Sequence, residues 1–145
     1  MGPIIARSVL GVVFAPLALA LAYHQFLGHR SDYLGHYLAG CGGTLLLIVC
    51  VLAIVPDIPY ARFAPATIVL LALVAIGIGA LFESTIYRIA KFDEVDFCNQ
   101  SLGAALAAAG VLLVAGRAKP PLFISSGLVC VALGLLAAGY HYAFL

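Results

Sequence analysis

Two helical turns of this sequence bring ionisable residues into register. Asp32 and His36 stand four residues apart and share one helix face. Asp96 stacks with Asn99 and Gln100, with Gly103 one turn later. Upstream, Glu83 and Tyr87 are also four apart, and the stretch Arg88-Ile89-Ala90-Lys91-Phe92-Asp93-Glu94-Val95-Asp96 lies between. A carboxyl buried beside an imidazole is an arrangement suited to proton transfer, so His36, Glu83 and Asp96 are the candidate catalytic residues. Structural roles compete with this. Glu83 can pair with Arg88 or His36, and His36 can hydrogen-bond Asp32 and cap its helix. Asp93 and Glu94 can start a helix favourably against its dipole.

Other chemistries find less support. His29, His36, Glu83, Asp93 and Asp96 are all N/O donors, but no strong metal spacing such as HExxH occurs, and no metal is expected. The histidines crowd one end, which permits at most one haem there; no cofactor is expected. There is no glycine-rich phosphate loop and no nucleophile elbow. Cys41, Cys50, Cys98 and Cys130 form no CxxC pair and sit in apolar runs, so they read as small buried residues.

The elements that carry these residues follow from composition. Hydrophobic types make up 65% and charged types 9% of 145 residues, against ~45–50% and ~25% in soluble domains. A soluble fold of this size leaves about 30% of its surface in water, so the chain must use lipid as solvent. That excludes an ordinary cytosolic enzyme and a nucleic-acid binder. Five stretches approach the ~20 apolar residues that a bilayer requires: 8–27 with a kink at Pro16, 33–55, 65–82, 97–116 and 121–145. Runs such as Thr44-Leu45-Leu46-Leu47-Ile48-Val49 do not alternate, so helices are expected rather than barrel strands. The expected fold is an all-α integral membrane bundle of five transmembrane helices in a single domain. The first stretch also has the order of a signal peptide, and four spans remain without it. Small residues at four-residue spacing (Gly35, Ala39, Gly43; Ala75, Gly79; Gly103, Ala107; Gly134, Ala138) predict close helix packing. Tyr33, Tyr37, Tyr140 and Tyr142 fit an aromatic belt.

Five crossings divide the charges unevenly. Arg7, Arg62, Arg117 and Lys119 fall on one side, and Arg30, Arg88 and Lys91 on the other. This leans toward a cytoplasmic N-terminus. Five of the six acids, all but Asp57, and all four histidines (His24, His29, His36, His141) share the second side. His24 and His29 read as interfacial, and His141 as interfacial or packed. Glu83 and His36 lie about one turn inside the apolar boundary, a depth at which ionisable groups face the bundle interior or a watery cavity.

Ser31-Asp32-Tyr33-Leu34-Gly35-His36 resembles the Asp-x-x-x-His signature of VanZ-like membrane proteins. Glu83, then Lys91 through Asp96, then Gln100-Ser101-Leu102-Gly103-Ala104 resemble that family's later signature. Lys91 stands where the family usually has Arg, and Gln100 where it has Asn. The resemblance covers roughly residues 31 to 110. It implies an envelope-facing protein of the bacterial inner membrane, of a family associated with glycopeptide resistance, rather than a particular reaction. The expected ligand is an envelope lipid or glycan-linked molecule. Asp32, His36, Glu83, Arg88, Lys91, Asp93, Asp96, Asn99 and Gln100 would bind it, with Arg88 and Lys91 offering charge to an anionic headgroup. The competing expectation is a structural accessory subunit of a larger membrane complex, in which the small-residue faces dominate; the first reading expects a lone monomer or a homo-oligomer.

Overall fold

The structure is a computed structural model and describes residues 15–26, 30–54, 60–85, 92–115 and 126–144. The described residues form five helices and no strand: α1 (Ala15–Phe26), α2 (Ser31–Ile54), α3 (Tyr60–Thr85), α4 (Glu94–Ala115) and α5 (Ser126–Phe144). Helices α2 to α5 are each long and apolar enough to cross a membrane. The all-α membrane bundle is therefore as expected for four spans. The 12 described residues of α1 reach only about 18 Å, and residues 8–14 of the first expected span lie outside the described residues.

Helices α2, α3 and α4 begin before their apolar stretches, because a helix continues until a cap or breaker stops it. α4 begins at Glu94, not Phe97, since Asp93 caps it: Val95 and Asp96 donate their backbone N–H groups to Asp93 Oδ1 at 2.8 and 3.3 Å. α3 begins at Tyr60 and carries Pro65 inside its second turn. There the missing N–H removes one backbone bond without ending the helix.

α2 is the hub, packing most extensively on α5 and α4. Without a hydrophobic push between helices in lipid, contact depends on close backbone approach. Glycines provide it. A side-chain carbon on Gly35 would strike the Ala143 backbone, and one on Gly139 would lie 2.6 Å from the Ala39 nitrogen. Gly42 meets Leu136 and Ala132 in the same way. This order makes α2 and α5 antiparallel. On the other face of α2, Gly40 meets the Gln100 carbonyl, and Gly103 meets the Tyr37 carbonyl. His36 approaches Asp96 one turn before Gly40 meets Gln100 on either helix, and that order makes α2 and α4 parallel. Gly79 of α3 lies under the Gln100 side chain. The four-residue spacing fails at Gly134, which has open space around it; its face of α5 turns away from the bundle.

Two other expectations are corrected. Tyr37 is fully buried rather than in a belt, stacked on Tyr23 at 5.5 Å and donating to the Pro16 carbonyl at 3.3 Å. Tyr140 and Tyr142 are exposed, as a belt requires. Only Cys41 is buried; Cys50, Cys98 and Cys130 are exposed free thiols. An apolar solvent lets a small apolar residue face outward at little cost, so an apolar run does not imply burial here.

Candidate functional site

Because α2 and α4 run parallel and α5 runs against α2, the starts of α2 and α4 and the end of α5 lie at one end of the bundle. The Gly79–Gln100 contact sets the end of α3 beside them. The gathering of acids and histidines at a single end is therefore a property of the fold. It holds for the described members: His24, Asp32, His36, Glu83, Asp93, Glu94, Asp96 and His141.

At its centre, His36 Nε2 lies 3.4 Å from Asp96 Oδ2, an ion pair whenever the imidazole is protonated. Both side chains are largely withdrawn, at 15% and 17% exposure. Asp96 Oδ1 is buried with no hydrogen-bond partner among the described residues. Glu83 is buried, and it, Asp93 and Asp32 all lie within electrostatic reach of Asp96. The Phe144 ring closes the other side of His36, edge-on at 6.4 Å between centroids. An imidazole and several carboxyls thus meet in a half-dry setting, where an unpartnered carboxylate oxygen is costly.

His36 does not pair with Asp32, although the two stand one turn apart. Arg30 takes the Asp32 carboxylate with two nitrogens, Nε at 3.1 Å and Nη2 at 2.8 Å, and this hydrogen bonding raises the already high pKa of Arg30. The Arg30 guanidinium also lies 3.8 Å over the Tyr33 ring. Asp32 is therefore neutralised at the rim, leaving His36 for α4.

The remaining expected ligands separate. Asp93 is a helix cap, and Glu94 is exposed. Asn99 is buried and accepts a hydrogen bond from the Tyr23 hydroxyl at 2.6 Å, which ties α4 to α1. Gln100 points away from the ionic cluster, over Gly79 and into an apolar groove between α2, α3 and α4. Arg88 and Lys91, with Tyr87 and His29, lie outside the described residues. Sequence reasoning missed Tyr23, whose contact with Asn99 spans 76 positions, and no local spacing signals such a pair. It also missed Thr44, a fully buried hydroxyl on the groove side of α2. A polar residue within an otherwise apolar run was the available signal.

No group of three or more His, Cys, Asp or Glu side chains with metal-holding geometry occurs among the described residues. Comparison of the chain with protein-family models, with curated proteins and with solved structures found no match in any of the three. The resemblance to VanZ-like proteins therefore rests on the residues quoted for it.

Proposed function

We propose that this chain is an envelope-facing protein of the bacterial cytoplasmic membrane that binds an envelope lipid or lipid-linked glycan at the His36–Asp96 end of its bundle. The observation that carries this reading is the buried, unpartnered Oδ1 of Asp96 beside His36. Ionisable groups withdrawn into a membrane bundle commonly mark a ligand or proton site. The order of His36, Glu83 and Asp96 keeps the VanZ-like expectation as part of the proposal. Counted over five crossings, the basic residues favour a cytoplasmic N-terminus.

The charge of the site narrows the ligand. Arg30 cancels Asp32; Glu83 and Asp96 remain beside His36, with Asp93 and Glu94 at the rim of the same end. Arg88 and Lys91 cancel at most two of these four. An acidic helix-end cluster favours an ammonium-bearing headgroup over an anionic one. In nanodiscs of mixed phosphatidylethanolamine and phosphatidylglycerol, native mass spectrometry should find the ethanolamine lipid retained. Asp96→Asn and His36→Ala should lose it, and Glu94→Gln should keep it. Equal retention of both lipids by wild type and variants would defeat the reading.

One observation favours the accessory-subunit reading. α3 and α5 turn Leu70, Leu73, Leu81, Leu133 and Tyr140 outward, and Gly77 and Gly134 on those helices have open space around them. Mild-detergent purification separates the two readings. Stoichiometric larger partners support the subunit role, and a lone monomer or homo-oligomer removes it.

A further inference from the structure

The groove that receives Gln100 is separate from the ionic end and has a chemistry of its own. It holds about 290 Å³ between α2, α3 and α4. Its walls are unusually small: Gly40 and Gly43 on α2, Ala75 on α3 and Ala104 on α4. Helices with such residues normally close against each other. Here α3 stands off from α2 and a slot remains. The slot lies within the spanning parts of all three helices, so its occupant must be lipid-soluble.

Two polar groups interrupt the apolar lining. Thr44 is fully buried, and its hydroxyl has no hydrogen-bond partner among the described residues. A buried hydroxyl without a partner is costly, so the fold leaves a donor waiting for an acceptor. The Gln100 amide brings two further N–H donors to the same space. Gly40 packs on the Gln100 backbone, and Thr44 follows one turn later, about 6 Å along α2. An ordinary acyl chain carries no acceptor at this depth and would leave Thr44 unpaired. A flat ring with carbonyl oxygens on opposite edges spans the two donors. Its faces fit glycine and alanine walls, and an attached tail leaves past Leu47 and Cys50 toward the lipid.

We propose that the slot bounded by Gly40, Gly43, Ala75 and Ala104 binds the ring of a membrane quinone, with Thr44 and Gln100 donating hydrogen bonds to its carbonyl oxygens. The site is independent of the His36–Asp96 cluster, so either proposal can fail without the other.

The test uses the full chain in nanodiscs, labelled by light with an azido-1,4-benzoquinone bearing a decyl tail and mapped by peptide mass spectrometry. Label should appear between residues 39 and 50 and around Ala75. Decyl-benzoquinone should compete for it, whereas decylbenzene, which has the same shape but no carbonyl, should not. Thr44→Val and Gln100→Leu should each weaken competition about tenfold, the loss of one hydrogen bond. Thr44→Val keeps shape and removes an unpaired hydroxyl, so its thermal stability should be unchanged or higher; a purely structural Thr44 would show the reverse. Ala75→Phe, which fills the slot, should abolish labelling. Equal competition by decylbenzene would reveal an ordinary lipid crevice and overturn the proposal. Undiminished competition in both Thr44→Val and Gln100→Leu would overturn it as well.

Discussion

His36 Nε2 and Asp96 Oδ2 meet at 3.4 Å across two helices that run in the same direction, 60 residues apart in the chain. The contact exists because Gly40 lets α2 settle on the Gln100 backbone of α4, so that the residues one turn nearer the membrane boundary touch. Each side chain retains some solvent exposure, which lowers the worth of the pair below that of a fully buried one. His36→Ala and Asp96→Asn should each destabilise the bundle by about 1–2 kcal/mol, with the double variant costing clearly less than their sum. Unfolding in mixed micelles by rising SDS measures all three. Strict additivity would mean that the two groups do not interact.

Backbone contact, rather than side-chain burial, holds the α2–α4 seam. A carbon at position 103 would fall on the Tyr37 carbonyl, which cannot move without shifting α2. Gly103→Val should cost about 3 kcal/mol or prevent folding. Gly134→Ala, with open space around it, should be neutral or slightly stabilising through helix propensity. The same SDS titration distinguishes them, and equal effects at the two positions would discount the seam.

These two glycines also show what the sequence reveals and conceals. Both stand in small-xxx-small patterns, yet only Gly103 meets another helix. Hydropathy makes the spans legible because lipid demands long apolar helices. It does not say which face of a span looks inward, since inward and outward faces are both apolar. Tyr37, Cys50 and Gly134 were misplaced for that reason. The polar end was legible because alternating spans bring the start of α2, the end of α3 and the start of α4 to one boundary. Which polar side chains meet there was not, since Arg30 decides the fate of Asp32 and so directs His36 to Asp96.

Tyr23 and Asn99 are a dependent pair. Removing the phenol hydroxyl leaves Asn99 Oδ1 buried without its 2.6 Å donor. Tyr23→Phe should therefore cost about 1–2 kcal/mol. Pairing it with Asn99→Leu, which removes the stranded amide, should recover part of the loss. If the double variant is as weak as the sum of the single ones, the hydrogen bond is not what α1 contributes.

Asp93 acts chiefly on local structure. Its side chain holds the Val95 and Asp96 N–H groups in the first turn of α4. Asp93→Ala should destabilise α4 by about 1 kcal/mol, and Asp93→Asn should retain most of that stability. The Asn variant should also weaken lipid retention at the ionic end far less than Asp96→Asn does, since the cap requires an acceptor rather than a charge. A loss of bound lipid in Asp93→Asn, with stability intact, would make Asp93 part of the ligand site.

The orientation of the helices can be tested without settling whether α1 crosses the membrane. His36–Asp96, followed one turn later on both helices by Gly40–Gln100, fixes α2 and α4 as parallel neighbours. Their first residues must then face the same compartment. In a chain with its four native cysteines replaced, single cysteines at the exposed positions Ser31 and Glu94 should react with a membrane-impermeant maleimide from the same side of sealed vesicles. A cysteine at Ile54, exposed at the far end of α2, should react only from the other side. Labelling of positions 31 and 94 from opposite sides would make the α2–α4 pairing impossible. The His36–Asp96 contact and the groove beneath it would then both be lost, because each depends on that one parallel seam.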